Sequence, residues 1–123
     1  MYAIGYRRLA NFMKQEQQVQ KIKKQLLALG PMLPGSLSEQ WNVCGTPGCK
    51  CKDPQKPIRH GPYFQLSFSV KGRSSTLFVR PEEVPEAQRR IRRYQRFKEL
   101  VMALTQAYVD LARKQKLSGR FKA

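Results

Sequence analysis

The sequence predicts an α+β fold in which a helix, a β-hairpin and a second, longer helix follow one another along the chain. Three patterns predict it: helical spacing of apolar residues in the first quarter, alternation of apolar and polar residues in the middle, and helical spacing again after Pro81. A chain of 123 residues is expected to form one structural domain. Within it we expect three segments: 1–32, 33–81 and 82–123.

The first helix is predicted over residues 7–29. Gly30 ends it because glycine readily takes the left-handed cap conformation, and Pro31 cannot continue a helix. Its apolar residues fall close to the 3.6-residue period: Leu9, Phe12, Val19, Ile22, Leu26 and Leu29.

The hairpin is predicted over residues 63–80. Apolar and polar residues alternate in 63–70, which is typical of a half-buried strand. Residues 71–73 turn the chain, and Leu77 and Val79 mark one face of the returning strand.

The second helix is predicted from Pro81 to Lys116. Glu82 and Glu83 in the first turn and Arg113 in the last complement the helix dipole. Its apolar stripe has spacings of four and three over about two heptads, which is shorter than a coiled coil requires. The stripe comprises Phe97, Val101, Leu104, Tyr108 and Leu111, and residues 117–123 read as a basic tail.

All three cysteines and the only histidine lie within seventeen residues, between the predicted first strand and the hairpin. Four residues separate the first two cysteines, one separates the second from the third, and eight precede the histidine. Three thiolates and one imidazole form a complete tetrahedral set for Zn²⁺. We therefore predict a structural zinc site formed by Cys44, Cys49, Cys51 and His60.

Other interpretations of this cluster are weaker. An odd number of cysteines does not close a disulfide framework, and Cys49 and Cys51 are too close for an unstrained disulfide. Free thiols beside an incidental histidine, or an iron–sulfur cluster, remain alternatives, although a histidine as fourth ligand suits zinc better. If His60 were not a ligand, a bound water could support hydrolysis, with Asp53 as the one nearby acid.

The charge of the chain indicates a polyanionic partner. Twenty-four Lys and Arg residues against eight Asp and Glu residues give a net charge of +16. Nucleic acid is the commonest partner of such a protein, and an anionic membrane is the main rival. We find no secretory signal, membrane span or lipidation signal in the sequence, so we expect a cytoplasmic protein in a reducing compartment that does not bind membranes.

The basic residues form three groups. The first surrounds the cysteines, the second lies at the hairpin tip, and the third lies on the second helix. Four members of the third group share an arc of about 100°: Arg89, Arg92, Arg93 and Arg96. Arginine matches phosphate through its planar fork of donors. The predicted contacts to the nucleic-acid backbone are Lys50, Lys52, Lys56 and Arg59, then Lys71 and Arg73, then Arg89, Arg90, Arg92, Arg93 and Arg96.

Aromatic residues of the β region could pack in the core or stack on bases. A small hairpin needs aromatic packing, so we assign Phe64 and Phe68 to the core. Trp41 is assigned there too, as the anchor of a first short strand over 36–43. Tyr63 stays open between the two roles.

Four stretches resemble a known family: Gly35-Ser36-Leu37-Ser38, Cys44-Gly45-x-Pro47-x-Cys49-x-Cys51, His60-Gly61-Pro62-Tyr63-Phe64-x-Leu66, and a helix with Tyr94-x-x-Phe97. The family consists of small, basic prokaryotic proteins with no assigned function, often encoded near transposases and other mobile elements. The resemblance covers residues 33–112. It implies a structural metal site with the same four ligands and membership of a mobile-element nucleoprotein complex.

The sequence therefore predicts a non-enzymatic accessory protein that binds RNA or DNA. The alternative is an adaptor whose helices form a homo-oligomer or bind a larger protein of the same complex, such as a transposase or nuclease. Enzymatic activity is not expected, because one histidine and few acids do not assemble a catalytic site.

Overall fold

The computed structural model describes residues 2–115 and residue 117. The α+β fold is confirmed: along the chain, one helix precedes and one follows a three-stranded antiparallel sheet whose strands pair in sequence order. The helices are α1 (Tyr2–Ala28) and α2 (Val84–Lys114), and the strands are β1 (Ser36–Asn42), β2 (His60–Val70) and β3 (Arg73–Val79). Short 3₁₀ turns occupy Lys50–Lys52 and Pro81–Glu83. All but the first residue of the expected basic tail lies outside the described residues.

The chain divides into two compact units. The helical unit comprises Met1–Gly30 and Gln95–Ala123, and the sheet unit comprises Pro31–Tyr94. The first turns of α2 thus belong to the sheet unit and its later turns to the helical unit. Among the described helices, none is long and apolar enough to cross a membrane.

The core of the helical unit contains Val19 of α1 together with Ala107 and Leu111 of α2, and Leu104 packs against them. Leu100 is also buried. The predicted stripe was partly wrong, because Val101 and Tyr108 are partly exposed while Leu100 and Ala107, one position earlier, are buried. Both sets have heptad spacing, so spacing alone did not distinguish them.

The sheet unit buries one face of its sheet, the inner face, against the start of α2. Leu37, Leu66 and Leu77 align across the three strands, and Leu66 is fully buried. The inner-face cluster contains Leu66, Val79 and Ala87, with Leu33, Leu37, Phe64, Phe68, Val84 and Ile91 packed against it. The core assignment of Phe64 and Phe68 is thus confirmed.

The predicted hairpin is confirmed, and β1 adds the third strand on the other side of β2. Lys71 and Gly72 connect β2 to β3 with φ values of 54° and 75°. Two successive left-handed residues are typical of a type I′ turn, whose twist matches that of the flanking strands. Gly72 adopts this conformation without steric cost.

Trp41 is not the core anchor that the sequence suggested. Its side chain is 49% exposed. An irregularity in the β1–β2 register between Gln40 and Asn42 interrupts the alternation that would have directed this residue inward.

Candidate metal centre

The metal loop, residues 43–59, connects β1 to β2 and contains three of the four predicted ligands. Its 3₁₀ turn is closed by hydrogen bonds from the Lys52 amide to the Cys49 carbonyl, 3.0 Å, and from the Asp53 amide to the Lys50 carbonyl, 3.3 Å. The Ile58 amide donates to the same Lys50 carbonyl at 3.0 Å, which ties the end of the loop to this turn. Cys51, at the centre of the turn, is only 2% exposed.

The four predicted ligands converge. Cys44 Sγ lies 3.5 Å from Cys51 Sγ, and Cys49 Sγ lies 3.1 Å from His60 Nε2. All four ligand atoms lie within 4.8 Å of one another. The Cys44 amide also donates to Cys51 Sγ at 3.4 Å, so the backbone helps to hold the thiolate side of the cluster.

These distances fit a tetrahedral metal site. Sulfur atoms bound to one zinc at about 2.3 Å are about 3.8 Å apart when the geometry is tetrahedral. The separation of 3.5 Å between the Cys44 and Cys51 sulfurs is close to that value, and the donor set is three soft sulfurs and one imidazole nitrogen. The group could therefore hold a metal ion, with His60 binding through Nε2.

His60 is the first residue of β2, and its position depends on the glycine that follows it. Gly61 has a φ of 143°, and a Cβ there would lie 2.8 Å from the Gln40 carbonyl oxygen and 3.1 Å from the Trp41 indole. Only glycine allows this close approach of β2 to β1. The indole of Trp41 therefore covers Gly61 beside the metal ligands.

The local environment favours thiolates at two of the cysteines. A hydrogen bond from the Thr46 amide, with help from the other two thiols, lowers the pKa of Cys44 to about 6. The Cys51 amide lowers the pKa of Cys49 in the same way, whereas burial raises the pKa of Cys51. A hydrogen bond with Cys49 raises the pKa of His60. Because metal ions bind thiolates, the first two cysteines are prepared for binding.

Asp53, the acid considered for hydrolysis, has a structural role. Its carboxylate accepts a hydrogen bond from the Gln55 amide at 2.9 Å, which closes a local turn in the exposed part of the loop. It is not one of the four grouped ligands.

The basic residues of the metal loop and the hairpin tip are exposed, but they lie at opposite ends of β2. This strand has 11 residues, so its ends are about 35 Å apart. The structure therefore presents two separate basic clusters. The first comprises Lys50, Lys52, Lys56 and Arg59, and the second comprises Lys71 and Arg73.

Four of the arginines of α2 are paired with acids on the same helix. Glu86 binds Arg89 at 2.8 Å, Arg90 at 3.1 Å and Arg93 at 3.5 Å. Hydrogen bonds from Arg89 and then Arg90 hold the pKa of Glu86 below its ordinary value. The sequence indicated two of these ion pairs, because Arg89 and Arg90 follow Glu86 by three and four residues, a spacing typical of ion pairs on a helix.

Farther along α2, Arg96 binds Glu99 at 3.2 Å. Arg93 also donates to the Pro31 carbonyl at 3.1 Å, and the Leu33 amide donates to the Arg90 carbonyl at 3.0 Å. These two bonds attach the segment before β1 to the helix. Arg92 is exposed and has no ion pair within the described part of the chain.

The sequence analysis overlooked one exposed aromatic residue, Phe78 of β3. Its side chain is 71% exposed, and its ring lies edge-on to that of Tyr63, with centroids 6.4 Å apart and planes at 81°. The sequence could have indicated this exposure: strand residues alternate between the two faces of a sheet, so Phe78 lies on the face opposite to that of Leu77 and Val79.

A family model described as a domain of unknown function (DUF6788) matches residues 13–89, and the chain belongs to this family. The matched region contains all four candidate ligands and all three strands, and it ends before most of the arginine-rich part of α2. It also includes much of α1, which lies outside the region covered by the resemblance. No curated protein and no solved structure matches the chain.

Proposed function

We propose that this protein is a non-enzymatic nucleic-acid-binding protein whose metal centre is a structural zinc site. The observation that carries the proposal is that the metal loop, which contains three of the four candidate ligands, also presents four exposed cations. Asp53 is the only acid in that loop, so the loop has a clear excess of positive charge.

Zinc is the ion proposed because of the ligand chemistry. Cys₃His sets are typical of structural zinc, and four protein ligands leave no coordination position for a reactive water. The ion would join the end of β1, the 3₁₀ turn and the start of β2. The loop would then present its cations in one fixed arrangement, which lowers the entropic cost of binding a polyanion.

Contacts to phosphates, without base readout by the loop, are the proposed mode of this interface. The positive charges of lysine and arginine side chains on an irregular loop complement the negative phosphates of the RNA or DNA backbone. The mobile-element nucleoprotein complex that the sequence resemblance implies is part of the same proposal.

The test compares two variants that lose the same charge. One carries Lys50→Gln, Lys52→Gln, Lys56→Gln and Arg59→Gln in the metal loop. The control carries Lys14→Gln, Lys21→Gln, Lys24→Gln and Arg113→Gln on exposed positions of the helices. Binding of a labelled duplex and of a structured RNA is measured by fluorescence anisotropy at low salt.

The loop variant should bind at least ten-fold more weakly than the control variant. Equal losses would mean that net charge matters and the loop does not. Absence of binding by the unmodified, zinc-loaded protein would refute the proposed function.

A second candidate, the protein-interaction adaptor, is supported by an exposed apolar stripe on α2. The stripe consists of two pairs of neighbouring residues, seven positions apart: Val101 with Met102, and Tyr108 with Val109. Each pair directly follows a buried residue of α2, Leu100 or Ala107. Sedimentation of the protein alone tests this candidate: Met102→Glu should convert an oligomer to a monomer while leaving nucleic-acid binding unchanged.

A further inference from the structure

We infer that the outer face of the β-sheet, the face opposite Leu66, binds unpaired bases of a single-stranded nucleic acid by stacking them on Tyr63 and Phe78. This inference rests on the proposed function and adds to it a second mode of contact. The metal loop would contact phosphates, and the sheet would contact bases.

The register defines which residues share this face. Gln40 pairs with Tyr63 and Gln65 pairs with Phe78, so these side chains project on the side opposite the buried leucine. Apart from the two rings, the outer face is entirely polar and uncharged: it comprises Ser36, Ser38, Gln40, Gln65, Ser67, Ser69, Ser74 and Thr76.

The two aromatic rings are accessible. Phe78 is 71% exposed, although phenylalanine is among the residue types most often buried, and Tyr63 is 38% exposed. They lie on adjacent strands and contact each other edge-to-face, so they form one platform near the end of the sheet that carries the metal loop. The edge-on contact leaves part of the Phe78 face available to a further ring.

Hydroxyl and amide groups surround this platform. The Gln40 side-chain amide donates to Ser38 Oγ at 3.2 Å, which in turn donates to the Gln65 carbonyl at 3.4 Å. Ser69 and Ser74 share a hydrogen bond of 2.7 Å across the hairpin. Such groups can donate to and accept from the edges of bases, which carry both kinds of partner.

The charges near this face favour a nucleic-acid strand. None of the strand residues assigned to the outer face is acidic, and exposed cations lie beyond both ends of β2: Arg59 at one end and Lys71 at the other. A strand whose bases rest on the sheet would have its phosphates drawn to these ends. A protein partner would instead be expected to meet a more continuous apolar surface.

Unpaired bases are required because a duplex hides the base faces within its own stack. A single strand leaves each base with a free π-face for an aromatic side chain. We therefore assign the binding of single-stranded nucleic acid to the outer face, and the test below distinguishes DNA from RNA.

The test uses the full, zinc-loaded chain and labelled strands of about 12 nucleotides, a length within the range that small sheet domains bind. The strands are oligothymidylate, oligouridylate, and an abasic strand with the same number of phosphates. The variants are Phe78→Leu and Tyr63→Leu, which keep an apolar side chain without a stacking ring. Phe78→Tyr keeps the ring, and Leu27→Ala is the control for an exposed apolar residue elsewhere (87% exposed).

The unmodified protein should bind the base-bearing strands more tightly than the abasic strand. Phe78→Leu should weaken binding to the base-bearing strands about ten-fold and leave binding to the abasic strand unchanged, since one stacked base contributes a factor of this order. Phe78→Tyr and Leu27→Ala should bind as the unmodified protein does. A preference between the two base-bearing strands would show whether DNA or RNA is bound.

Three outcomes would overturn the inference. If both leucine variants bind every strand normally, the sheet does not stack bases, although the phosphate-binding function stands. If they bind normally but lose self-association, the face is a protein interface. If the unmodified protein binds no strand and no duplex, the proposed function fails and the inference falls with it.

Discussion

The dependence of nucleic-acid affinity on salt concentration should report how many cations of the protein contact phosphates. Eleven basic residues were predicted as contacts, and the structure pairs four of them with Glu86 or Glu99: Arg89, Arg90, Arg93 and Arg96. Seven remain without an acidic partner among the described residues. Each phosphate contact contributes about 0.9 to the slope of log affinity against log salt, so a duplex that meets all seven gives a slope of about −6.

A slope of that size means that affinity falls about 6,000-fold between about 50 and 200 mM salt. Replacing the four loop cations Lys50, Lys52, Lys56 and Arg59 by glutamine removes four of the seven contacts. The slope should then fall to about −3, and the loss over the same salt range to about 40-fold. The change in slope depends on contacts and not on overall charge, which makes it more specific than a single affinity.

The assay is an anisotropy titration of a labelled duplex at four or more salt concentrations. The helix control variant that lacks Lys14, Lys21, Lys24 and Arg113 should keep a slope near −6. An unmodified slope near −10 would refute the reasoning about the ion-paired arginines, because all eleven cations would then contact phosphates. An unchanged slope in the loop variant would refute the role of the metal loop.

Three further predictions concern the metal, the core and pH. The purified protein should contain one zinc ion per chain by metal analysis, Cys51→Ser should lose it, and zinc-free protein should bind the duplex more weakly than zinc-loaded protein. Leu66→Ala should lower the free energy of unfolding by about 2–5 kcal/mol in denaturant titrations, whereas Leu77→Ala, at the same sheet position but 48% exposed, should cost much less. The pKa of Glu86 is lowered in the folded state, so its ion pairs stabilise the fold above the ordinary carboxyl value of 4.5 and are lost as pH falls below it. The stability difference between the unmodified protein and Glu86→Gln should therefore shrink on acidification, and an unchanged difference from pH 7 to pH 3 would contradict that assignment.

The elements of the fold were predictable because each has a strong local pattern. Alternation along β2 and the turn residues before Arg73 identified the hairpin, and Gly30 with Pro31 located the end of α1 to within about two residues. The grouping of the four candidate ligands was also predictable, because these four residues are all the cysteine and histidine in the chain. Since they lie within seventeen residues of one another in sequence, their convergence required little knowledge of the fold.

Features that depend on contacts between elements were not predictable in the same way. Ala107 and Tyr108 fit the heptad spacing equally well, and packing against Val19 of α1 decides between them. The register irregularity before Asn42 lies where β2 approaches β1 closely at Gly61, a contact between residues distant in sequence. The pairing of Glu86 with Arg89 and Arg90 was visible in the spacing of three and four residues, but its contact with Arg93, seven residues away, depends on side-chain geometry.

Measuring nucleic-acid affinity with and without zinc distinguishes two contributions of the metal loop to that affinity: its conformational order and its charge. Three thiolates and one divalent ion carry a net charge of about −1. Without the ion, the Cys44 thiol is ionised at neutral pH because its pKa is lowered to about 6, so the cluster keeps a charge of similar size. Removing the ion therefore changes the charge of the loop little, next to four exposed cations and one acid. If charge alone determined affinity, the zinc-free protein would bind about as tightly as the zinc-loaded protein. Weaker binding after zinc removal follows only if the ion holds the cations in place, because a disordered loop loses conformational entropy when it binds.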